Sequence, residues 1–434
     1  MVANVSPLVA ELRARAEQGR PVTVGLAGAG QMGTDLIVQL RRMPGLRLGG
    51  VAEARPQRAI DAAVLAGYGR DDIAVVTSSA AMAEVIARGK LAITEDLAAL
   101  AACGPIQVAI DATGNPNIGT TFALAVIGNG KHMVMLNVEA DITIGRHLAA
   151  AARRAGVVYT GAAGDEPAAT LELIGFAQSL GLGVVCAGKG KNNALNFDAV
   201  PADYEAEARA RNMNARMLVE FVDGSKTMIE MVAVANCTGL VPDIPGMHGP
   251  MATREELAHV LIPKSDGGVL SKKGCVDYSI GKGVAPGVFV IVETDHPRVL
   301  ERMVDLKVGK GPYFALLRPY HLTSLEVPLS AAHAVLTGKP DMVPLDQPVA
   351  EAVTVAKCDL KPGDILGRIG ETQYRAFAMT AGEAKTAKAV PLGLAEGAKV
   401  LQPVKKGALL TYGNCAPNED FVITRIRHQL DGRA

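Results

Sequence analysis

The amino-acid sequence predicts an α/β protein with more than one domain, and three observations carry that prediction. The chain has 434 residues, which at roughly 150 residues per domain gives two or three domains. Hydrophobic residues make up 49% and charged residues 20% of the chain, the usual balance of a folded globular protein. Near the N-terminus, apolar segments of strand length alternate with segments of helical spacing, which is typical of a parallel sheet covered by helices.

The composition limits the class of ligand. Lys+Arg and Asp+Glu each number 44, so the formal net charge is zero, and this argues against a large basic face for nucleic acid or anionic lipid. Eight Phe, eight Tyr and no Trp leave few side chains on which bases or sugars can stack. The 47 glycines follow no Gly-X-Y period and favour many tight turns. We therefore expect a small polar ligand and no nucleic-acid partner.

The sequence also predicts a cytoplasmic protein without a membrane segment. Charged residues alternate with apolar ones in segment 1–20, which predicts a short amphipathic helix. The segment lacks the apolar core of a signal peptide. The long uncharged stretch at 112–130 is interrupted by Gly and Pro and is too short to span a bilayer. The six cysteines show neither CxxC nor Cys/His ligand spacing, so we interpret them as reduced thiols and predict no metal site.

The first motif with a clear mechanism is a glycine turn between a strand and a helix. The apolar run from Val22 meets Gly28, Gly30 and Gly33, and a stretch with helical spacing follows. In this context Gly28 permits a tight turn, Gly30 lets the backbone approach a pyrophosphate, and Gly33 lets helix pack on strand. The pyrophosphate then lies at the helix N-terminus, where free N–H groups favour an anion. The motif predicts a Rossmann dinucleotide-binding domain.

Two further features of this domain concern the choice of dinucleotide. Gln31 and Met32 lie within the glycine turn and are predicted cofactor contacts. Glu53 ends the second strand and is able to accept hydrogen bonds from ribose hydroxyls, which favours NAD. Arg55 and Arg58 follow directly and suit a 2′-phosphate, which favours NADP, unless they are solvated loop charges. NAD and NADP therefore both remain open.

The alternation of strands and helices continues beyond the glycine turn. It predicts strands at 46–52, 73–76, 107–112 and 132–136, and helices at 79–88, 117–127 and 144–154. Thr113, Gly114 and Asn137 follow two of these strands. Because ligands of open parallel sheets bind at the carboxyl ends of the strands, we expect these residues on the nicotinamide side of the cofactor. The alternative is that the polar side chains only cap the next helix.

The middle of the chain concentrates charged residues in otherwise apolar segments. A helix is predicted at 168–181 and a strand at 183–187, after which Lys189, Lys191 and Asn192 lie on a glycine-rich loop. Lysine and amide donors suit a phosphate or an enediolate oxygen. The alternative is a set of solvated loop cations. Glu166, just before the predicted helix, is either a helix N-terminal charge or a catalytic acid–base.

A second group of candidates begins at Ser225. Residues 203–216 are predicted to be helical, and a further helix runs over 223–236. On that helix Lys226 and Glu230 are four residues apart and share one face. They form either an ordinary ion pair or a lysine held by a carboxylate in a cleft, ready to polarise a carbonyl.

Four more residues are candidate substrate contacts because they lie in glycine- and proline-rich loops or near scarce aromatic residues. These are His248, Ser271, Lys272 and Arg318. In the C-terminal part, the similar turns at 360–366 and 404–411 form an internal repeat within a β-rich region.

Six motifs of the chain together resemble a known family. They are Gly28–Asp35, Gly164–Pro167, Ala187–Asn193, Asp223–Met228, Pro245–Pro250 and Arg318–Ser324. The series is similar to the 1-deoxy-D-xylulose-5-phosphate reductoisomerase-like family, whose Rossmann and catalytic regions are homoserine-dehydrogenase-like. The turns at 360–364 and 403–407 resemble those of a SAF (antifreeze-like) domain. The resemblance covers nearly the whole chain.

The resemblance implies a homodimeric, NADPH-dependent enzyme of isoprenoid biosynthesis that acts on a phosphorylated ketose. It implies three domains: a Rossmann domain at 1–160, an α+β catalytic and dimerisation domain at 161–347, and a small β-rich, SAF-like domain at 348–434. In the implied reaction the carbon skeleton rearranges to a branched aldehyde, which is then reduced. The implied catalytic residues are Lys189, Lys226, Glu230 and Glu166, and the implied phosphate ligands come from Lys191, Ser271, Lys272 and Arg318. A divalent metal bound by Asp165 and Glu166 is the alternative to the lysines.

Two other functions remain open at this point. One is a simpler dehydrogenase or oxidoisomerase, acting on homoserine or on a branched sugar acid without rearranging its skeleton. The other is a protein without enzymatic activity that senses NAD(P) or binds carbohydrate. Replacing Lys226 and Glu230 by Ala separates these classes, because only an enzyme loses turnover.

Overall fold

The computed structural model describes residues 6–211 and 213–433. The chain divides into two compact units. Unit 1 contains the described residues up to Asp165 together with Leu322–Val343, and unit 2 contains Glu166–His321 together with the described residues from Pro344 onward. The described part has no helix that is long and apolar enough to cross a bilayer.

The strands of the described chain are as follows. They are β1 (Val22–Ala27), β2 (Leu46–Ala52), β3 (Ile73–Val75), β4 (Leu91–Thr94), β5 (Val108–Asp111), β6 (His132–Met135), β7 (Tyr159–Gly161), β8 (Gly183–Gly190), β9 (Val241–Pro242), β10 (Cys275–Ser279), β11 (Val288–Glu293), β12 (Tyr313–Arg318), β13 (Ala350–Ala356), β14 (Tyr374–Thr380), β15 (Lys399–Val400) and β16 (Cys415–Ala416).

The α-helices of the described chain are given next. They are α1 (Pro7–Glu17), α2 (Gln31–Arg42), α3 (Pro56–Leu65), α4 (Ser79–Ala87), α5 (Leu97–Ala102), α6 (Pro116–Gly128), α7 (Val138–Ala155), α8 (Glu166–Ser179), α9 (Pro201–Ala210), α10 (Ala215–Val222), α11 (Ser225–Thr238), α12 (Leu257–Val260), α13 (Pro297–Asp305), α14 (Val327–Leu336), α15 (Ala381–Thr386) and α16 (Val422–Leu430).

Unit 1 is built on a seven-stranded sheet in the order β3-β4-β2-β1-β5-β6-β7. Every strand pair in it is parallel. The order reverses between β1 and β5, so the ligand crevice of an open α/β sheet is expected at the carboxyl ends of these two strands. This confirms the predicted α/β fold with a Rossmann-like sheet.

The segment from Leu322 to Val343 returns to unit 1 after the chain has passed through unit 2. Its helix α14 packs against β5 and β6 and adds Ala331 to the apolar core around Leu26 and Ile110. The Ala163 N–H donates to Ser330 Oγ at 2.8 Å, and the Gly161 N–H donates to the Met342 carbonyl at 2.8 Å. These bonds hold the returning segment against the last strand of the sheet.

Unit 2 contains a five-stranded mixed sheet in the order β12-β11-β8-β10-β9. Strands β8, β10 and β9 are mutually parallel, whereas β11 runs antiparallel to both β8 and β12. Helices α8 and α11 pack against β8 and against each other. In the register of the sheet, Lys189 of β8 lies beside Tyr278 of β10 and Val288 of β11, so these three residues share the sheet face that the two helices cover.

The chain from Pro344 onward belongs to unit 2. Strands β13 and β14 form an antiparallel pair that packs against α11. Asn236 near the end of α11 accepts from the backbone N–H groups of Val349 and Ala350 at 2.9 and 3.0 Å. The two similar turns of the sequence face each other, because Leu360 and Val404 exchange backbone hydrogen bonds of 2.8 and 3.1 Å.

The structure corrects several element boundaries. Helix α7 begins at Val138, six residues before the predicted start, because Asn137 caps it through the Ala140 N–H. Helix α8 begins at Glu166 and includes that residue. The helix predicted over 203–216 is two helices, α9 and α10, and the strands β4 and β7 were not predicted at all.

Candidate functional site

The glycine turn of unit 1 has the geometry of a dinucleotide cradle. Gly28 has φ +93°, and a Cβ atom there would lie 2.7 Å from the Ala112 carbonyl oxygen. A Cβ atom on Gly33 would lie 2.1 Å from the Gly28 carbonyl oxygen, whereas one on Gly30 would meet no atom within 4 Å. Helix α2 begins at Gln31, and its N-cap, Gly30, has no side chain to occupy the first N–H groups. The residues present therefore fit a pyrophosphate.

Glu53 lies at the carboxyl end of β2 and is held beside the glycine turn. Its Oε2 accepts from the Ala29 N–H at 2.8 Å, and its Oε1 accepts from the Arg55 N–H at 3.2 Å. Arg55 is the N-cap residue of α3, and its side chain is exposed. Since each carboxylate oxygen has a second lone pair, Glu53 can still accept from a ribose hydroxyl.

The ends of β5 and β6 bring together the residues that were predicted for the nicotinamide side. Asp111 is fully buried, and its Oδ1 accepts from the Thr113 N–H at 2.9 Å. Asn137 is buried and caps α7, while Gly114 is exposed. Burial raises the pKa of Asp111 to about 6. Hydrogen bonds from Thr113 and from the Asn137 side chain offset part of this rise, so the three residues form one polar group at the ends of these strands.

Two motifs that lie far apart in the sequence meet in unit 1. Ser324 Oγ donates to Asp35 Oδ2 at 3.0 Å. Asp35 belongs to α2, directly after the glycine turn, and Ser324 ends the Arg318–Ser324 motif. This contact fixes the returning segment to the helix whose N-terminus forms the cradle.

The centre of unit 2 is a buried lysine between two carboxylates. Lys189 Nζ donates to Glu166 Oε1 at 2.6 Å and forms an ion pair with Glu230. Lys226 Nζ lies 3.9 Å from Glu230 Oε1, and His321 Nε2 lies 3.3 Å from Glu166 Oε1. We call these five residues the Lys189 cluster. The strand β8 supplies the lysine, and the helices α8 and α11 supply the carboxylates.

The electrostatics of the Lys189 cluster keep the central lysine charged. Burial disfavours the ammonium form, but the charges and hydrogen bonds of Glu166 and Glu230 outweigh burial and raise the pKa of Lys189 above its ordinary value. Lys191, two residues further on, differs. Its Nζ donates to the Phe221 carbonyl at 2.6 Å, and burial, aided by the Lys189 charge, lowers the pKa of Lys191 to about 8. The unit thus holds one firmly charged lysine and one that titrates near neutral pH.

Of the other predicted residues of this region, two have structural partners and two are exposed. Ser225 is fully buried, and its Oγ accepts from the Ala376 N–H at 2.9 Å. Asn192 and Lys272 are exposed. Arg318 donates to Glu172 Oε2 at 2.7 Å.

His248 and Ser271 meet around a different carboxylate, Asp243. His248 Nε2 lies 2.8 Å from Asp243 Oδ2, and the Ser271 N–H donates to the same oxygen at 2.8 Å. The backbone N–H groups of His248 and Gly249 also donate to the buried Asp277 at 3.0 and 2.9 Å. The structure therefore brings together the four predicted catalytic residues, while His248 and Ser271 form a separate group.

Two residues of this part of unit 2 are not among the candidates predicted from the sequence. His321 contacts Glu166, and Tyr278 lies beside Lys189 in the sheet. The clustering of Arg, Tyr and His in the Arg318–Ser324 motif is a signal for the former. Nothing in the local sequence singles out the latter, because its position depends on the pairing of β8 with β10.

Residues 164–327 match the family described as oxidoreductase DRL, catalytic domain. This segment contains the whole Lys189 cluster. The match covers less than half of the chain, and it supports the oxidoreductase part of the predicted resemblance. The reductoisomerase activity and the SAF-like character of the C-terminal segment stay predictions. The comparison with curated proteins found no match.

Several solved structures are distantly similar to the chain. A probable dehydrogenase from Thermotoga maritima is 14% identical with a TM-score of 0.42, covering 73% of this chain and 90% of its own. The WlbA dehydrogenase from Bordetella pertussis, in complex with NADH and UDP-GlcNAcA, is 13% identical with a TM-score of 0.42, covering 75% of this chain and 91% of its own. Scyllo-inositol dehydrogenase from Lactobacillus casei, with NAD(H) and scyllo-inositol, is 13% identical with a TM-score of 0.37, covering 69% and 76%. These likenesses are too distant to define a function.

Proposed function

We propose that the protein is an NAD(P)-dependent oxidoreductase that interconverts a hydroxyl and a carbonyl group of a small anionic substrate. The observation that carries the proposal is the buried Lys189 ammonium between Glu166 and Glu230, within the segment that matches an oxidoreductase catalytic domain. The glycine turn and Glu53 of unit 1 supply the dinucleotide site.

The chemistry follows from what the Lys189 cluster holds. A bound nicotinamide supplies or accepts the hydride. In the reducing direction the substrate oxygen gains negative charge, and Lys189 Nζ is a proton donor that can neutralise it. Glu166 and Glu230 stabilise the ammonium before the transfer, and Lys226 lies at ion-pair distance from Glu230 as a second cation. In the oxidising direction the proton moves from the substrate hydroxyl back to Lys189.

The finer proposal is a reductoisomerase of a sugar phosphate such as 1-deoxy-D-xylulose 5-phosphate. Its skeletal rearrangement needs a group that deprotonates a hydroxyl and cations that hold the resulting enolate. The Glu230 carboxylate suits the first role, and Lys189 with Lys226 suits the second. The resemblance of the six motifs supports this substrate class, and we propose that the active form is a cytoplasmic homodimer.

The test is oxidation of NADH and NADPH in the presence of 1-deoxy-D-xylulose 5-phosphate, with product analysis by NMR. We expect a branched polyol phosphate. Reduction without rearrangement of the carbon skeleton would show that the protein is a simple dehydrogenase. Absence of turnover with either dinucleotide would reject this substrate.

Lys189→Met tests the role of the central lysine. General acid–base groups contribute roughly 10²- to 10⁴-fold to rate, so we expect kcat to fall within that range. Lys264→Met, at an exposed lysine of unit 2, is the matched control and should keep wild-type kcat. A Lys189→Met protein that is folded and fully active contradicts the proposal.

For the dinucleotide we propose a preference for NADH over NADPH. The resemblance implies NADPH, but the Glu53 carboxylate is fixed beside the glycine turn, where a 2′-phosphate would meet a like charge. Glu53→Ser should therefore weaken NADH binding about tenfold, the value of one charged hydrogen bond, and improve NADPH binding. Fluorescence titration with both dinucleotides measures the change, and unchanged selectivity would remove Glu53 from this role.

A further inference from the structure

Arg375 of β14 is a cation without an acidic partner in a crowded part of unit 2. Its guanidinium lies 4.3 Å from the ring centre of Phe197 and 5.4 Å from that of Phe377. Its one hydrogen bond in the described structure is a long one, 3.3 Å, from Nη1 to the neighbouring Ala376 carbonyl. Within the described residues no ion pair joins Arg375 to a carboxylate. Since guanidinium has five N–H donors, most of them remain for a ligand.

The carboxylates that surround Arg375 are already neutralised. The carboxylates whose charges act on Arg375 are Asp223 and Asp198. Asp223 Oδ2 binds the buried Lys357 at 3.0 Å, and Asp198 binds Lys406 at 2.7 Å. Arg375 is therefore an excess positive charge at this place. Burial lowers the pKa of Arg375, yet a guanidinium stays protonated in proteins.

A second cation in the same region lacks an acidic partner as well. Lys191 donates to a backbone carbonyl, and no ion pair involves it in the described part of the chain. Asp223 is a charged neighbour of both Lys191 and Arg375. Tyr278, another neighbour of Arg375, lies beside Lys189 in the sheet. Lys191 is two residues from Lys189, and the Ala376 N–H beside Arg375 donates at 2.9 Å to Oγ of Ser225, the residue before Lys226. Each unpaired cation therefore lies close to a member of the Lys189 cluster.

We infer that Arg375, contributed by the C-terminal segment, binds the anionic group of the substrate, and that this group is a phosphate. This inference rests on the proposed function and assigns a residue to it that the sequence motifs do not contain. Two unpaired cations match the two negative charges of a phosphate monoester. The planar fork of arginine pairs with two phosphate oxygens at once, and lysine adds a point charge. Phe197 and Phe377 hold the fork in one orientation.

The experiment is calorimetric titration of the full chain with inorganic phosphate at constant ionic strength, in a buffer without other oxyanions. Arg375→Ala should weaken phosphate binding roughly ten- to a hundredfold, as expected for the loss of a charged hydrogen-bonding group. Arg375→Lys keeps the charge without the fork and should weaken binding less. The matched control is Arg368→Ala, an exposed arginine of the same segment that pairs with Glu396 at 3.5 Å, and it should bind phosphate as the wild type does.

The outcomes separate this inference from the proposed function. If Arg375→Ala does not fold, Arg375→Lys supplies the measurement. Wild-type phosphate affinity in the Arg375 variants, or no phosphate binding by the wild type, overturns the inference. Phosphate binding that depends on Arg375 in a protein without dinucleotide-dependent turnover supports the inference and overturns the proposed function. The opposite result is turnover that depends on Lys189, with a KM for the sugar phosphate that is unchanged in Arg375→Ala. It supports the proposed function and overturns the inference.

Discussion

At the scale of single residues, the chemistry of unit 2 depends on how Lys189 is charged. Two carboxylates from different helices contact one buried ammonium. Breaking such a buried pair is costly, because the remaining charge loses its compensation. The same contacts set the proton affinity of the lysine. A change in either carboxylate should therefore be visible in the pH dependence of turnover.

Glu230→Gln tests this dependence. The variant removes one of the two carboxylates that raise the pKa of Lys189, so the ammonium should lose its proton at a lower pH than in the wild type. If the charged form is required for reduction, kcat/KM of the variant should fall as pH rises through a range in which the wild type stays active. Glu205→Gln, on the exposed side of α9, is the control and should keep the wild-type profile. Identical pH profiles for wild type and Glu230→Gln would show that this carboxylate does not govern Lys189.

At the scale of the secondary-structure elements, the glycine turn could be predicted almost completely from the sequence. Its strand, its glycines and its helix are consecutive, so the pattern in the chain is also the pattern in space. The predicted limits of β1 and β2 agree with the structure. All six residues of β1 are buried. Because both faces of a parallel sheet are covered, such a strand is a nearly continuous apolar run, which is easy to recognise in the sequence.

Two glycine substitutions separate packing from ligand binding in this element. Gly33→Ala places a Cβ atom 2.1 Å from the Gly28 carbonyl oxygen, and we expect it to destabilise the protein by about 1–3 kcal/mol, as overpacking usually does. Gly30→Ala meets no protein atom within 4 Å, so it should keep stability but weaken NADH binding, because the Cβ atom occupies the approach of the pyrophosphate. Thermal unfolding and fluorescence titration measure the two effects. Equal effects of both variants on both quantities would contradict this division.

At the scale of the whole molecule, unit 2 is assembled from two distant stretches of the chain. Lys357, which follows β13, donates to Asp223 at 3.0 Å and to the Ala199 carbonyl at 2.8 Å. Both ends of this ion pair are buried, with 1% and 0% of the side chains exposed. The C-terminal stretch thus helps to stabilise the segment that lies between Lys191 and the start of α11.

Lys357→Met tests that support. The variant leaves Asp223 buried without its counter-ion, and loss of one partner of a buried pair costs about 3–5 kcal/mol. Urea unfolding followed by circular dichroism should show this loss. Lys399→Met, at an exposed position of the same stretch, should change the free energy of unfolding little. A Lys357→Met protein as stable as that control would show that the pair is dispensable.

The sequence by itself determined the features that depend on neighbours along the chain. These include the Rossmann-like alternation, the glycine turn, the acid at the end of β2, and the shared helical face of Lys226 and Glu230. Each arises from the 2.0 or 3.6 residue period of regular structure or from a turn that requires glycine.

Only the tertiary structure decided which of the charged residues meet. The contact of Lys189 with Glu166 and Glu230 depends on two helices packing over β8. The position of Tyr278 depends on the pairing of β8 with β10, and that of Arg375 on β14 packing against α11. No local period encodes these contacts, because they follow from the order of strands in the sheet and from the burial of apolar faces between elements far apart in the chain.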